Sequence, residues 1–222
     1  MNIEKYPKIQ TLFMRDDKGI IIPSKYTTEE FKYLNKNEWE CTEKIDGTNI
    51  RIIYDKNNEA VEFKGRTNQA IIPKHLLTYL VNTFTVEKFK THFGADCPST
   101  ILFGEGHGFK IQFSNNYYYQ QKDKIEFILF DVAVGKWWLD RRNVEDVAID
   151  FQIPVVPLMG YMTIPEAIAF TEKGFKSVIS ELSNNSEGLV LKTPQGLLMR
   201  NGERLITKLK TMDFVKYRNS LS

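Results

Sequence analysis

The chain predicts an α+β fold in which two antiparallel sheets pack together with helices at the periphery. Groups of short β-prone runs stand in the first, middle and last thirds, and helical periodicities separate those groups. No internal repeat, low-complexity tract or linker divides the 222 residues, so a single domain over 1–222 is expected.

Ile20–Pro23 and Trp39–Thr42 read as short strands, and Ile50–Tyr54 and Ala60–Lys64 flank Asp55-Lys56-Asn57-Asn58-Glu59, a hairpin turn. From Pro73 to Phe93 the apolar positions Leu76, Leu77, Leu80, Val81 and Phe84, then Val86, Phe89 and Phe93, recur at helical spacing. Thr85 can cap the second of the two helices they imply. Strands resume at Thr100–Phe103 and Ile125–Val134, and Gly135-Lys136 turns into Trp137-Trp138-Leu139. Arg141–Phe151 reads as a helix, Ile153–Met162 as an extended run, and a further helix starts near Pro165 and stops at Gly174. Gly188–Lys192, Leu197–Arg200 and Arg204–Lys210 complete the strands.

Composition narrows the class without naming a function. Hydrophobic residues make up 42% and charged residues 26%, which suits a globular chain, and no apolar run reaches bilayer length. The N-terminus lacks the apolar core of a secretion signal, so a cytoplasmic location is expected, the host's cytoplasm if a virus encodes the chain. Cys41 and Cys97 are too few for a disulfide framework and have no zinc-site spacing. With a formal charge of +2, binding of a polynucleotide must come from uneven placement of Lys and Arg.

Chemistry concentrates in five places. Glu43-Lys44-Ile45-Asp46-Gly47-Thr48-Asn49 puts a lysine at a strand end before Asp46-Gly47, where a hairpin or tight turn is expected. A nucleophile held by rigid backbone competes there with a solvated lysine in an ordinary hairpin. Phe103-Gly104-Glu105-Gly106-His107-Gly108 brings a carboxylate into a glycine-rich bend, where bare backbone admits a ligand and Glu105 can bond a ribose hydroxyl. A flexible strand end with an exposed Glu is the alternative, and His107 reads as a surface residue. Phe130-Asp131 ends an apolar strand. Phe130 can stack on a base or sit in the core, and Asp131 is too costly to bury without a partner. Glu187 at the entrance of Gly188–Lys192 suits a divalent metal. Lys208 and Lys210 share one strand face and suit a polyphosphate, although a solvated Lys-x-Lys looks the same.

Taken together and in this order, the segments resemble the covalent nucleotidyltransferase superfamily of polynucleotide ligases and mRNA capping enzymes. Lys44-Ile45-Asp46-Gly47 is similar to nucleophile motif I, Phe103-Gly104-Glu105-Gly106 to motif III, and Phe130-Asp131 to motif IIIa. Glu187-Gly188-Leu189-Val190 is similar to motif IV and Lys208-Leu209-Lys210 to motif V. Asn49, the Gly65-Arg66-Thr67 segment and the Phe-Gly-Glu-Gly wording most resemble the ATP-dependent RNA ligase 2 branch.

That resemblance implies an adenylyltransferase domain, ATP-grasp-like in its nucleotidyltransferase architecture, here expected without a C-terminal accessory domain. Lys44 would take AMP from ATP through a phosphoramidate, with Asp46, Glu187, Lys208 and Lys210 as the other catalytic residues. It implies nucleotide contacts from Glu43, Lys44, Ile45, Asn49, Arg66, Glu105, Phe130, Glu187, Lys208 and Lys210. Mg²⁺ or Mn²⁺ would be held by Glu187 and Asp46. A lysine amine of pKa about 10.4 is nearly all protonated at neutral pH, so neighbouring cations must help to unmask it.

The implied partner is RNA with 5′-phosphate and 3′-hydroxyl ends, a nicked duplex among its forms, acted on by a monomer. DNA nick sealing, GTP-dependent capping and a noncatalytic nucleic-acid-binding module are the alternatives. Lys110, Lys122, Lys124, Lys136, Arg141 and Arg142, interleaved with Phe109, Phe113, Tyr117–Tyr119 and Trp137-Trp138, form a candidate RNA surface.

Overall fold

The computed structural model describes residues 5–94, 96–111, 118–121 and 123–221. The described chain forms two compact units, one of Asp46–Val156 with the segment ending at Tyr6, the other of Pro7–Ile45 and Pro157–Ser222. The α+β class follows the predicted alternation of strands and helices, and each unit has its own sheet and core.

The Asp46–Val156 unit is a sheet of order β6-β5-β7-β8-β9. Its strands are β5 (Thr48–Asp55), β6 (Ala60–Gly65), β7 (Thr100–Gly108), β8 (Ile125–Val134) and β9 (Trp137–Trp138), all antiparallel. Helices α2 (Lys74–Thr83), α3 (Val86–Phe93) and α4 (Arg141–Phe151) cover one face. Leu76, Leu80, Phe89, Val144, Val147 and Phe151 close there on Ile50, Ile52, Leu102, Phe127, Leu129 and Val132. Thr85 caps α3 by accepting from the Lys88 N–H, as its position predicts.

β7 runs without a break through the glycines expected to form a bend. A Cβ on Gly104 would stand 2.2 Å from Phe127 Cζ, and one on Gly106 would stand 2.6 Å from Leu76 Cδ2. These glycines therefore make room for core side chains on the helix-covered face, which corrects their reading as a ligand approach. β8 carries a register shift opposite Phe103 and Gly104, which pair with Asp131 and Leu129 and leave Phe130 as the extra residue. The shift changes the phase of the strand. Phe127 and Leu129 face the helix-covered core, whereas Phe130 joins Ile101, Phe103, Ala133 and Tyr6 in a second cluster.

The other unit is a sheet of order β1-β12-β11-β4-β10 with a separate β2-β3 pair. It comprises β1 (Gln10–Thr11), β2 (Phe13–Arg15), β3 (Ile21–Tyr26), β4 (Trp39–Glu43), β10 (Leu158–Met162), β11 (Gly188–Lys192) and β12 (Ile206–Lys210). The β1–β12 pair is parallel and the remaining pairs are antiparallel. Helices α1 (Glu29–Tyr33), α5 (Ile164–Lys173) and α6 (Thr211–Leu221) supply Phe31, Ile164, Ala167 and Phe214 to a core with Trp39, Cys41, Leu189 and Leu191. Burial pushes the Cys41 thiol up to about 12, which makes it an inert apolar side chain.

Two local expectations are corrected. Asp46-Gly47 is not a hairpin, because β4 pairs with β10 and β11 whereas β5 pairs with β6 and β7. Leu197–Arg200 forms no strand; only an isolated bridge joins Leu198 to Arg204.

Candidate active site

Three strand ends meet in the unit that contains Lys44. β4 delivers Lys44 just beyond Glu43, and the Lys44 N–H donates to the Gly188 carbonyl at 2.9 Å. β11 begins beside it, so Glu187 stands at its mouth, and register pairs Gly188 with Lys210 at the end of β12. Lys44 Nζ donates to Glu187 Oε2 at 2.6 Å, and Lys210 Nζ lies 2.7 Å from Glu187 Oε1. One carboxylate thus bridges two ammonium groups.

Glu187 is further fixed by its main chain, whose carbonyl accepts from the Thr211 N–H at 3.0 Å. Burial opposes its ionisation, but Lys44 and Lys210 outweigh burial and hold the carboxyl below its ordinary range. Lys208 lies two residues before Lys210 on β12, opposite Val190 of β11, and is half-buried. Ile45 is buried.

Glu43 lies on the other side of the strand from Lys44. It is 1% exposed, its Oε2 accepts from the Val178 N–H at 2.9 Å, and its Oε1 has no hydrogen-bond partner among the described residues. Its carboxylate thus pins the loop that leads to Glu187. Arg15, which carries no motif, makes an ion pair with Asp213 in the first turn of α6, just after Lys210.

The remaining predicted residues belong to the Asp46–Val156 unit. Asp46 donates its N–H to the Tyr118 hydroxyl at 2.8 Å. Asn49 of β5 pairs in register with Glu105 of β7, which pairs with Ile128 of β8, and Asn49 Oδ1 is buried without a hydrogen-bond partner among the described residues. Phe130 is half-buried, its ring edge-on to Tyr6 at 4.9 Å, and Asp131 finds its partner in the Tyr6 hydroxyl at 2.7 Å. Arg66 is exposed, but the segment that carries it is organised by Arg51. That buried guanidinium donates to the Gly65 carbonyl and to Asn68 Oδ1, both at 2.8 Å.

His107 is fully buried rather than at the surface, and burial pushes its pKa down to about 4. Part of the candidate RNA surface is structural, while Lys110, Lys136 and Arg142 are exposed. Lys124 is 3.4 Å from Glu126 and covers the Tyr119 ring, Arg141 binds Glu145 and the Val156 carbonyl, and Trp138 packs on Phe103. Trp137 is 70% exposed. Phe113, Tyr117 and Lys122 lie outside the described residues.

Tyr6, Arg15 and Arg51 carry no sequence signal, and Tyr118 is expected only as part of a surface, since each acts on a partner that no local pattern points to. The tyrosine run Tyr117–Tyr119 was the one visible signal, read there as part of a surface.

Comparison with known proteins identifies the fold. An archaeal ATP-dependent RNA ligase superposes with a TM-score of 0.63 at 16% identity, covering 96% of this chain and 49% of that one. A point variant of the Naegleria gruberi RNA ligase with ATP and Mn gives 0.64 at 15%, covering 97% and 60%. The Naegleria gruberi RNA ligase with PPi gives 0.62 at 16%, covering 96% and 64%. At these identities the likeness establishes the nucleotidyltransferase fold, and the chain spans less than two thirds of the length of each of these proteins. No curated protein matches the chain in sequence. The RNA ligase family model matches residues 37–210, which take in the Lys44 strand at one end and the Lys210 strand at the other, and the chain therefore belongs to the RNA ligase family.

Proposed function

We propose that the chain is an ATP-dependent RNA ligase in which Lys44 carries AMP. The observation that carries this reading is the bridge from Lys44 through Glu187 to Lys210. It puts an amine, a carboxylate and a second cation within one hydrogen-bonded cluster, the set that nucleotidyl transfer requires. Family membership and the ATP with Mn in the Naegleria gruberi variant support the same choice of nucleotide.

In the first step Lys44 Nζ, once deprotonated, attacks the α-phosphorus of ATP. A P–N bond forms, the bond to the bridging oxygen of the β-phosphate breaks, and pyrophosphate leaves. Lys208 and Lys210 offset charge on the phosphate oxygens. Next a 5′-phosphate oxygen of RNA displaces the lysine from AMP. Finally a 3′-hydroxyl attacks the 5′-phosphorus, its proton is lost, AMP departs, and the phosphodiester closes. We assign the base-stacking role to Phe130, the ribose contact to Glu105, and positioning of nucleotide and RNA ends to Asn49 and Arg66.

No three His, Cys, Asp or Glu side chains converge among the described residues, so those residues form no closed metal cage. The single carboxylate of Glu187 nevertheless fits a divalent ion that takes most of its ligands from phosphates and water. Glu187 would hold Mg²⁺ or Mn²⁺, and the ion would neutralise phosphate charge.

Incubation with α-labelled ATP and magnesium, followed by denaturation, tests the proposal. Label is expected to stay on the wild-type protein and to be absent from Lys44→Ala. Label on Lys44→Ala would overturn the assignment. End-joining assays on RNA nicks, DNA nicks and single strands separate RNA ligation from DNA sealing, and GTP in place of ATP separates it from capping.

A further inference from the structure

Asp46 and Gly47, which follow the nucleophile in the chain, are held from two sides within the Asp46–Val156 unit. On one side the backbone lies against β7. A Cβ on Gly47 would stand 2.5 Å from Glu105 Cγ, 2.5 Å from the Gly106 carbonyl oxygen and 3.2 Å from His107 Cβ. Gly47 does not have a positive φ. Its glycine is therefore required by close approach and not by a turn.

On the other side the Asp46 N–H donates to the Tyr118 hydroxyl at 2.8 Å. Tyr118 is 4% exposed, and its ring stands edge-on to His107 at 5.4 Å. His107 is 0% exposed, and neither of its ring nitrogens has a hydrogen-bond partner among the described residues. Burial holds the ring's pKa down to about 4, so an uncharged imidazole lies against the Tyr118 ring. Tyr119 points its hydroxyl elsewhere, to Glu126.

We propose that Tyr118 is a positioning residue for adenylyl transfer, a latch whose hydroxyl fixes the Asp46 backbone two residues beyond Lys44. The proposal rests on the reading of Lys44 as the nucleophile. The main chain at Asp46 has few ways to shift when Gly47 is wedged against β7 and the Asp46 N–H is bonded. Where the chain direction just after a nucleophile is fixed, less reorganisation is left for the moment of attack.

Tyr118→Phe removes the hydroxyl and keeps the ring, and Tyr119→Phe removes a comparable hydroxyl that bonds away from Asp46. Both variants are to be compared with wild type by amide exchange at Asp46 and by the rate of lysyl-AMP formation across ATP concentrations. Tyr118→Phe is expected to exchange the Asp46 amide about tenfold faster. It should also lower the saturating rate about tenfold, with the ATP KM changed less than about twofold, the scale of one hydrogen bond.

Tyr119→Phe should match wild type in both readouts. Unchanged exchange at Asp46 in Tyr118→Phe, a change confined to KM, or an equal effect from Tyr119→Phe would each overturn the latch. If wild type forms no lysyl-AMP, the reading of Lys44 falls and the proposal with it. That failure is recognisable, because exchange at Asp46 would still respond to Tyr118→Phe.

Discussion

Glu187 sits between two cations, and that placement sets how this site responds to pH. Its carboxyl is held below the ordinary value of 4.5, so the stabilisation it gives is fully present above that value and is lost as pH falls through the folded pKa. Glu187→Gln leaves Lys44 and Lys210 without their shared anion. With the Glu187 side chain 20% exposed, the variant is expected to lose about 1 to 2 kcal/mol at pH 7. Urea unfolding of both proteins from pH 7 down to pH 3 checks this, and the gap between them should narrow below about pH 4.5. A gap that stays constant with pH would mean that the bridge is not what stabilises the site. The residue types at Lys44, Glu187 and Lys210 were legible because each stands at a strand end with charge that an apolar strand does not need. Their contact was not legible. It joins residues 143 positions apart, and only sheet order brings β4, β11 and β12 side by side. The same holds for Tyr6 and Asp131, 125 positions apart, where the cost of burying Asp131 foretold a partner but not which one.

Elements with a clean period were read almost to the residue, and those without one were missed. α4 begins and ends where the apolar spacing predicts, and its cap is Asp140, which accepts from the Asn143 N–H. α6 went unseen because only Phe214 and Asp213 of its eleven residues are buried, leaving little stripe to detect. β1 was missed for another reason, since its parallel pairing of Gln10 with Thr207 leaves no trace in local sequence. The hairpin expected at Asp46-Gly47 failed because the dipeptide signals a turn only when its flanking strands pair, and these go to different sheets. α5 offers a direct test at this scale. Thr163 accepts from the Glu166 N–H while Glu166 reaches back to the Thr163 N–H, so both ends of a capping box are in place. Thr163→Ala is expected to cost about 1 kcal/mol in urea unfolding, and Thr163→Ser should recover most of it. Equal losses in the two variants would show that the hydroxyl does not matter to α5.

The residues proposed for the chemistry fall in two units, each with its own sheet. Lys44, Glu187, Lys208 and Lys210 belong to one, and Asn49, Arg66, Glu105 and Phe130 to the other. Net charge could not reveal this, because +2 over 222 residues says nothing about where the cations stand. Of the basic side chains of the expected RNA surface, Lys124 and Arg141 are bound within the protein, whereas Lys110, Lys136 and Arg142 are exposed. The residues proposed for the first step all fall inside the matched span of 37–210. Lysyl-AMP formation is therefore expected of this chain without RNA, and it is expected to run backwards. Protein labelled with α-labelled ATP, freed of nucleotide and then given pyrophosphate with magnesium, should release its label as ATP, because groups that assist departing pyrophosphate in one direction assist its attack in the other. RNA with a 5′-phosphate end should instead draw the label onto the nucleic acid. Retention of label on the protein under both conditions would show a dead-end adduct and count against a role for Lys44 as carrier. Release as free AMP with pyrophosphate present would mean that water, and not phosphate, has access to the phosphoramidate.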